Sequence, residues 1–307
     1  MSEPLHVDEA VHLSSGAKSI HLRIADTVIA LTSDDPDLKL RVEGAAAKFL
    51  VEKTDPDVAV SAARRDLHAD VKGEKLFDSG ALWQLYRQDE RYLFRFTSSS
   101  FGPRPYKVAC FNSDFDSGEV CLNRRYFRSG KAVYPMQYPL DELLMLNLLA
   151  GGRGAEVHSC GVVDLSGEGY LFIGQSGAGK TTTARLWQKR NGVKVLSDDR
   201  IILRKHNDGI LMHGTPWHGE ADISCPSQAR LAKVFFLRRG EKNELASVGR
   251  AQAAARLLAC SFPPFHSPTG LDFTLSFFEE VANSVDCCEL RFAPDDGAVE
   301  FVRKLTK

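Results

Sequence analysis

The sequence predicts an α/β fold in two parts: a β-rich N-terminal domain over residues 1–136 and an α/β domain over residues 137–307. Three observations carry this. The first 135 residues break into short runs of alternating apolar and polar side chains separated by turn clusters, the pattern of strands. Near Pro135 the character changes, and a leucine-rich segment begins that has helix punctuation at both ends. Further on, the apolar run Tyr170–Ile173 leads into a glycine loop and then into a helical stretch from Thr182 to Lys189.

Taken in order, residues 1–19 are polar and serine-rich and read as a loose arm. Ile20, Leu22 and Ile24 alternate with polar neighbours, and Val28 and Ile29 follow, which predicts one or two strands. Asp34-Asp35-Pro36-Asp37 is a turn cluster. A weak strand is expected around Phe49-Leu50-Val51, ended by Thr54-Asp55-Pro56-Asp57. Leu82 to Tyr86 and Tyr92 to Phe96 read as a hairpin around Arg87-Gln88-Asp89-Glu90. Tyr106–Phe111 and Glu119–Leu122 are two more strands, split by a polar turn. The aromatic residues Trp83, Tyr86, Tyr92, Phe94 and Phe96 read as a sheet core, and no catalytic constellation appears in this half.

Pro139-Leu140-Asp141-Glu142 opens a helix that Gly151-Gly152 closes. Val157 to Leu165, a Ser-Gly-Glu-Gly turn and Tyr170–Ile173 form a hairpin that feeds the glycine loop. After the next helix, Val193–Leu196 is a short buried strand ending in Ser197-Asp198-Asp199-Arg200. Strands follow at Ile201–Leu203, Ile210–His213 and Ala232–Leu237, then a helix at Ala251–Cys260 and a Pro/Phe/His-rich loop from Ser261 to Pro268. Two C-terminal helical patterns lie near Leu271–Ala282 and Gly297–Leu305.

The 307 residues are 43% hydrophobic and 26% charged with a net charge of −1, the profile of an ordinary globular chain of about two domains. Nothing in this balance points to nucleic acid or to an anionic membrane. No secretion signal or membrane span is legible, and seven cysteines without a C-x-x-C pair read as buried thiols, so a cytoplasmic location is expected.

The chemistry centres on Gly174 to Thr181, G-Q-S-G-A-G-K-T, which matches G-x-x-x-x-G-K-[ST] between a strand and a helix. Such a loop turns backbone N–H groups inward around a phosphate chain, and the helix N-terminus adds positive potential. Gly174, Ser176, Gly177, Ala178, Gly179, Lys180, Thr181 and Thr182 are the candidate nucleotide-binding residues, with Lys180 directed at the phosphates and the Thr181 hydroxyl at Mg²⁺. Asp198 and Asp199 fall at the end of the first strand after the loop's helix, where a parallel sheet brings them beside it. Phosphoryl transfer needs one carboxylate to hold Mg²⁺ and benefits from a second that accepts the hydroxyl proton. A solvated Ser-Asp-Asp turn is the plainer reading of the pair.

In order, His158, G-Q-S-G-A-G-K-T and V-L-S-D-D resemble the bacterial HPr kinase/phosphorylase family and its kinase-like relatives, over about residues 140–240. The same nucleotide core occurs in ATP-dependent phosphoenolpyruvate carboxykinase. The resemblance implies a mixed-sheet P-loop kinase domain of that type that uses ATP and Mg²⁺. It implies that Lys180 binds phosphates, Thr181 and Asp198 serve Mg²⁺, Asp199 takes the acceptor's proton and His158 lies near the transferred phosphate. The acceptor expected is a serine of a protein or peptide, or a small-molecule hydroxyl, with the β-rich half serving recognition or homo-oligomer formation. A nucleotide-binding regulatory or assembly ATPase is the alternative from another class. His213, His218 and Glu220 flank a Pro-Trp turn and either line the acceptor side or shape a loop. Arg200, Arg230, Arg238 and Arg239 are candidates to neutralise phosphoryl charge. Core packing is the expected fate of Phe262, Phe265 and His266.

Overall fold

A computed structural model describes residues 17–69, 72–80 and 82–305 of the chain. Most of the arm expected over residues 1–19 lies outside them, although Ser19 already opens the first strand. Two large mixed sheets dominate, with few helices.

The first half supplies β1 (Ser19–Ile24), β2 (Thr27–Ser33), β3 (Lys39–Leu40), β4 (Leu50–Val51), β5 (Val58–Arg65), β6 (Glu74–Asp78), β7 (Trp83–Gln88), β8 (Arg91–Ser98), β9 (Gly102–Phe111), β10 (Ser117–Asn123) and β11 (Ala132–Val133). Nine of them form one sheet in the order β4-β1-β2-β5-β10-β9-β8-β7-β6. The hairpin β7–β8 turns at Asp89-Glu90, within the turn that the sequence predicts, and Asp89 takes the positive φ such a turn needs. β5 sits in the middle, parallel to both β2 and β10, and was not among the expected strands. Its sequence, V-A-V-S-A-A-R-R, is weakly hydrophobic, so its strand state comes from neighbours on both sides rather than from its own pattern.

The second half supplies α1 (Leu140–Leu148), β12 (Ala155–Val163), β13 (Gly169–Ile173), α2 (Lys180–Gln188), β14 (Lys194–Ser197), β15 (Arg200–His206), β16 (Gly209–Gly214), β17 (Gln228–Arg239), β18 (Glu244–Ser247), α3 (Arg250–Ala259), α4 (Pro268–Ser284), β19 (Asp286–Phe292) and α5 (Asp296–Leu305). The long strands β12 and β17 take part in three pairings each. Their first halves pair with β15 and β16, and their second halves border β13. β13, β17 and β19 run parallel, and β14 is antiparallel to β12 as β13 is. The sheet therefore turns a corner, with α3 and α4 packing on one side through Leu257, Phe277, Phe278 and Val281, and α2 and α5 on the other through Trp187, Val299 and Val302. β18 and β19 were not expected from sequence. β19 reads D-C-C-E-L-R-F, in which two buried thiols supply apolar surface that a pattern search for Val and Ile misses.

α1 packs away from this second core. Leu140, Leu143, Leu144, Met145 and Leu148 join the core of the nine-stranded sheet, together with Ile202 and Trp217. The two sheets consequently meet along α1, β15 and the 215–223 loop, which is where the charged residues described next converge.

Candidate active site

Two parallel strands set the location. β13 delivers the glycine loop at its C-terminal end, and β14, flanking β12 on the other side, delivers Asp198 at its own C-terminal end. β12 intervenes, so the strands are not neighbours as a simple parallel sheet requires. Both are antiparallel to β12, however, so both end at the same edge. In open α/β sheets this is the edge where ligands bind.

The loop is built for close approach. Gly177 and Gly179 have φ of +80° and +113°. A Cβ on Gly179 would come within 2.5 Å of the Phe292 ring at the end of β19, so the loop lies flat against that strand. Helix α2 starts at Lys180, two residues before the sequence-based start, and the first helical N–H to find a carbonyl is that of Thr183, on Gly179 at 2.8 Å. The N–H groups of Lys180, Thr181 and Thr182 therefore precede the ladder and face the loop end. Lys180 is buried, and its Nζ donates to the carbonyls of Gly174 at 2.7 Å and Gln175 at 3.4 Å. Burial lowers its pKa, and the Asp199 charge opposes that shift without cancelling it. Ser176 and Gly177 form the exposed tip, and Thr181 and Thr182 are half-buried at the base. A cleft of about 530 Å³ opens beside Gly174–Ala178, lined also by Arg238, Arg239, Arg256 and Cys260.

The aspartates part company. Asp198 is 1% exposed, and its carboxylate accepts backbone N–H groups from Gly219 (3.0 Å), Ala221 (2.9 Å) and Ile223 (3.4 Å). It holds the 215–223 loop to the strand end. Ser197 assists, donating to the Trp217 carbonyl while accepting from the N–H groups of Asp199 and Arg200. Asp199 points to the other side. Its Oδ1 is 2.8 Å from Nε2 of His158, and its Oδ2 accepts from Arg200. Burial alone raises the Asp199 carboxyl, but the His158 hydrogen bond and the charges of Arg200, His158 and Lys180 outweigh it and hold it below the usual carboxylate range. The carboxylate is thus ionised at neutral pH.

Sequence reasoning missed the group behind Arg200. Glu142 at the start of α1 accepts from Arg200 Nε at 2.9 Å, and the fully buried Glu156 lies 3.3 Å from the same nitrogen. Burial, together with the Glu142 charge, pushes the Glu156 carboxyl well above its usual range. Phe262 stacks on the Arg200 guanidinium at 4.1 Å, and the Cys260 carbonyl accepts the backbone N–H of His158 at 2.7 Å. The one available signal was register: Glu156 and His158 are two residues apart on β12 and so share a face.

The other candidates scatter. Arg230 lines a separate surface cleft with His206 and Asp208. His218 pairs with Asp222 at 3.2 Å, and the Glu220 carbonyl accepts from Arg185. His213 lies on the far side of β16, beside Asp26 of the first sheet. Phe265, expected in the core, is 68% exposed, and His266 packs edge-on against Tyr92. Among the described residues no three His, Cys, Asp or Glu side chains are grouped to hold a metal by themselves, and no helix is long and apolar enough to cross a membrane.

No protein-family model matches the chain, and no curated protein matches it.

Proposed function

We propose that this chain is a P-loop kinase of the HPr-kinase-like type, which binds ATP with Mg²⁺ on Gly174–Thr182 and passes the γ-phosphoryl group to the hydroxyl of a protein or peptide serine. The observation that carries the reading is the convergence of Lys180 with the Asp199 carboxylate and His158 at one sheet edge. A loop lysine alone fits any nucleotide binder, whereas a carboxylate aimed at the same spot by a histidine gives the site a proton acceptor.

The residues fit the ligands. The free helical N–H groups, Lys180 and the flanking Arg238, Arg239 and Arg256 make a cationic cleft beside a glycine turn. Mg²⁺ keeps several waters and usually takes only one or two protein ligands alongside phosphate oxygens, so a protein-only metal cage is not needed. The Thr181 hydroxyl would hold it, and when bound it would neutralise phosphate charge, whereas the Asp198 carboxylate already accepts three backbone N–H groups of the 215–223 loop.

In the transfer step the acceptor oxygen bonds to the γ-phosphorus and the bond to the β-phosphate oxygen breaks. ADP leaves with that electron pair, and the hydroxyl proton passes to Asp199. His158 and Arg200 hold the Asp199 carboxylate in place, and Arg200 is itself fixed by Glu142 and Phe262. Tyr138, 55% exposed and within the electrostatic reach of Glu142 and Arg200, borders this side. An open face of this kind suits a hydroxyl carried on a chain better than an enclosed small molecule.

The test is ³²P transfer from γ-labelled ATP into proteins of the source cell. Asp199→Asn is expected to bind nucleotide normally and to lose transfer by about 10²-fold or more. Lys180→Ala is expected to lose binding. Transfer at the wild-type rate by Asp199→Asn would remove Asp199 as proton acceptor, and acceptor-free hydrolysis as the sole activity would replace the kinase with a regulatory ATPase.

A further inference from the structure

A second cleft, of about 470 Å³, lies where the β1–β2 edge of the first sheet meets the end of β16, away from the glycine loop. Its lining brings together Arg23 and Asp26 from the β1–β2 hairpin, Lys48 from the turn before β4, and His213 and Gln228 from β16 and β17. His213 and Gln228 are direct cross-strand partners, so their side chains share one face.

The polar groups here are incompletely used. His213 is 3% exposed, and its Nε2 has no hydrogen-bond partner. Asp26 Oδ2 lies 3.8 Å from it, beyond hydrogen-bond reach yet close enough for one oxygen to touch both. A buried ring nitrogen left bare is costly, and proteins rarely keep one without a reason. Burial, helped by the nearby charges of Arg204 and His206, pushes the imidazole down to about 4 against the pull of Asp26. The ring is therefore neutral and offers one donor and one acceptor. Lys48 spends two of its three N–H donors on the carbonyl and hydroxyl of Ser224, at 3.1 Å each, and keeps one. The Arg23 side chain has no hydrogen bond or ion pair among the described residues. Two cations against one carboxylate leave the cleft net positive.

We propose that this cleft is a binding site for a small hydroxylated anion, with the hydroxyl seated between His213 and Asp26 and the anionic group between Arg23 and Lys48. The oxygen of that hydroxyl satisfies the buried nitrogen, while the guanidinium supplies a charge-assisted contact at the mouth. The site stands on its own geometry and does not depend on the phosphate-loop reading.

Calorimetric titration of the full chain tests it with four probes: L-malate and succinate, glycerol 3-phosphate and ethyl phosphate. Each pair differs by the hydroxyl, and the two pairs separate a carboxylate from a phosphate ligand. At least one hydroxylated probe is expected to bind, with its deoxy counterpart weaker by about tenfold. Arg23→Gln, an exposed change that breaks no contact, is expected to cost a further factor of about ten and to leave ATP binding unchanged. His213→Gln, checked for an unaltered melting curve, is expected to erase the preference for the hydroxyl. Absence of binding by all four probes, equal affinity within each pair, or binding indifferent to Arg23→Gln would overturn the proposal and leave a cleft filled by water.

Discussion

Asp198→Asn separates two roles that the sequence leaves merged. In the structure the Asp198 carboxylate is a buried clamp whose Oδ1 takes the N–H groups of Gly219 and Ile223 and whose Oδ2 takes that of Ala221 at 2.9 Å. In the asparagine variant the amide oxygen can keep the first two, and the amide NH₂ then faces the Ala221 N–H, donor against donor. A hydrogen bond to a charged group contributes about 1.5–3 kcal/mol, and stranding a buried donor costs about 1–3 kcal/mol. The sum is about 2.5–6 kcal/mol, a large share of the roughly 5–15 kcal/mol that holds a domain folded. For a chain of this size that lowers Tm by on the order of 10 °C. The assay is a melting curve in a chelator without nucleotide, so that no metal role can contribute. An unchanged Tm in that buffer, accompanied by loss of Mg²⁺-dependent nucleotide binding, would refute the clamp and restore Asp198 as principally a metal ligand.

Two further predictions concern titrating groups. The Glu156 carboxyl is held well above its ordinary 4.5 in the fold. Its contribution is therefore full below about pH 4.5 and is lost as pH rises toward the folded value. Glu156→Gln is expected to match the wild type in Tm near pH 4.5 and to exceed it near pH 8, and parallel Tm–pH curves would contradict this. In the first sheet Arg64 and Asp35, with side chains 9% and 10% exposed, form a two-pronged pair at 3.0 and 3.1 Å. The Arg64 hydrogen bond holds the Asp35 carboxyl well below its usual range, so its contribution is present above about pH 3.8 and is lost as pH falls further. Arg64→Met is expected to cost roughly 2–3 kcal/mol at neutral pH and to flatten the acid limb of the urea-unfolding profile. A cost below about 0.5 kcal/mol would class the pair with ordinary surface ion pairs.

What the sequence determined by itself is local. The β1–β2 and β7–β8 strands were legible because a residue's face in a strand is set by its neighbours two positions away. The β12–β13 hairpin and the turn of the glycine loop were legible because turn residues act within a few positions. Lys180 and the aspartate pair were legible for the same reason, each lying at the end of a readable loop or strand, whereas His158, inside β12, was singled out only by the family resemblance.

Tertiary structure decided everything that depends on distant neighbours. β5 is a strand because β2 and β10 hold it on both edges. α1 belongs to the first sheet's core although its sequence only says that it has an apolar face. The division between Asp198 and Asp199 was undecidable from two adjacent identical residues, because the backbone amides that claim Asp198 arrive more than twenty residues later, in the 219–223 segment. Glu142 and Glu156 could not be named as the supports of Arg200 because a charge's partner is fixed by packing, not by spacing. In sequence His213 groups with His218 and Glu220 around a Pro-Trp turn, which leaves open whether it lines the acceptor side or shapes a loop. The alternation of β16 turns it instead toward Asp26, nearly two hundred residues away along the chain.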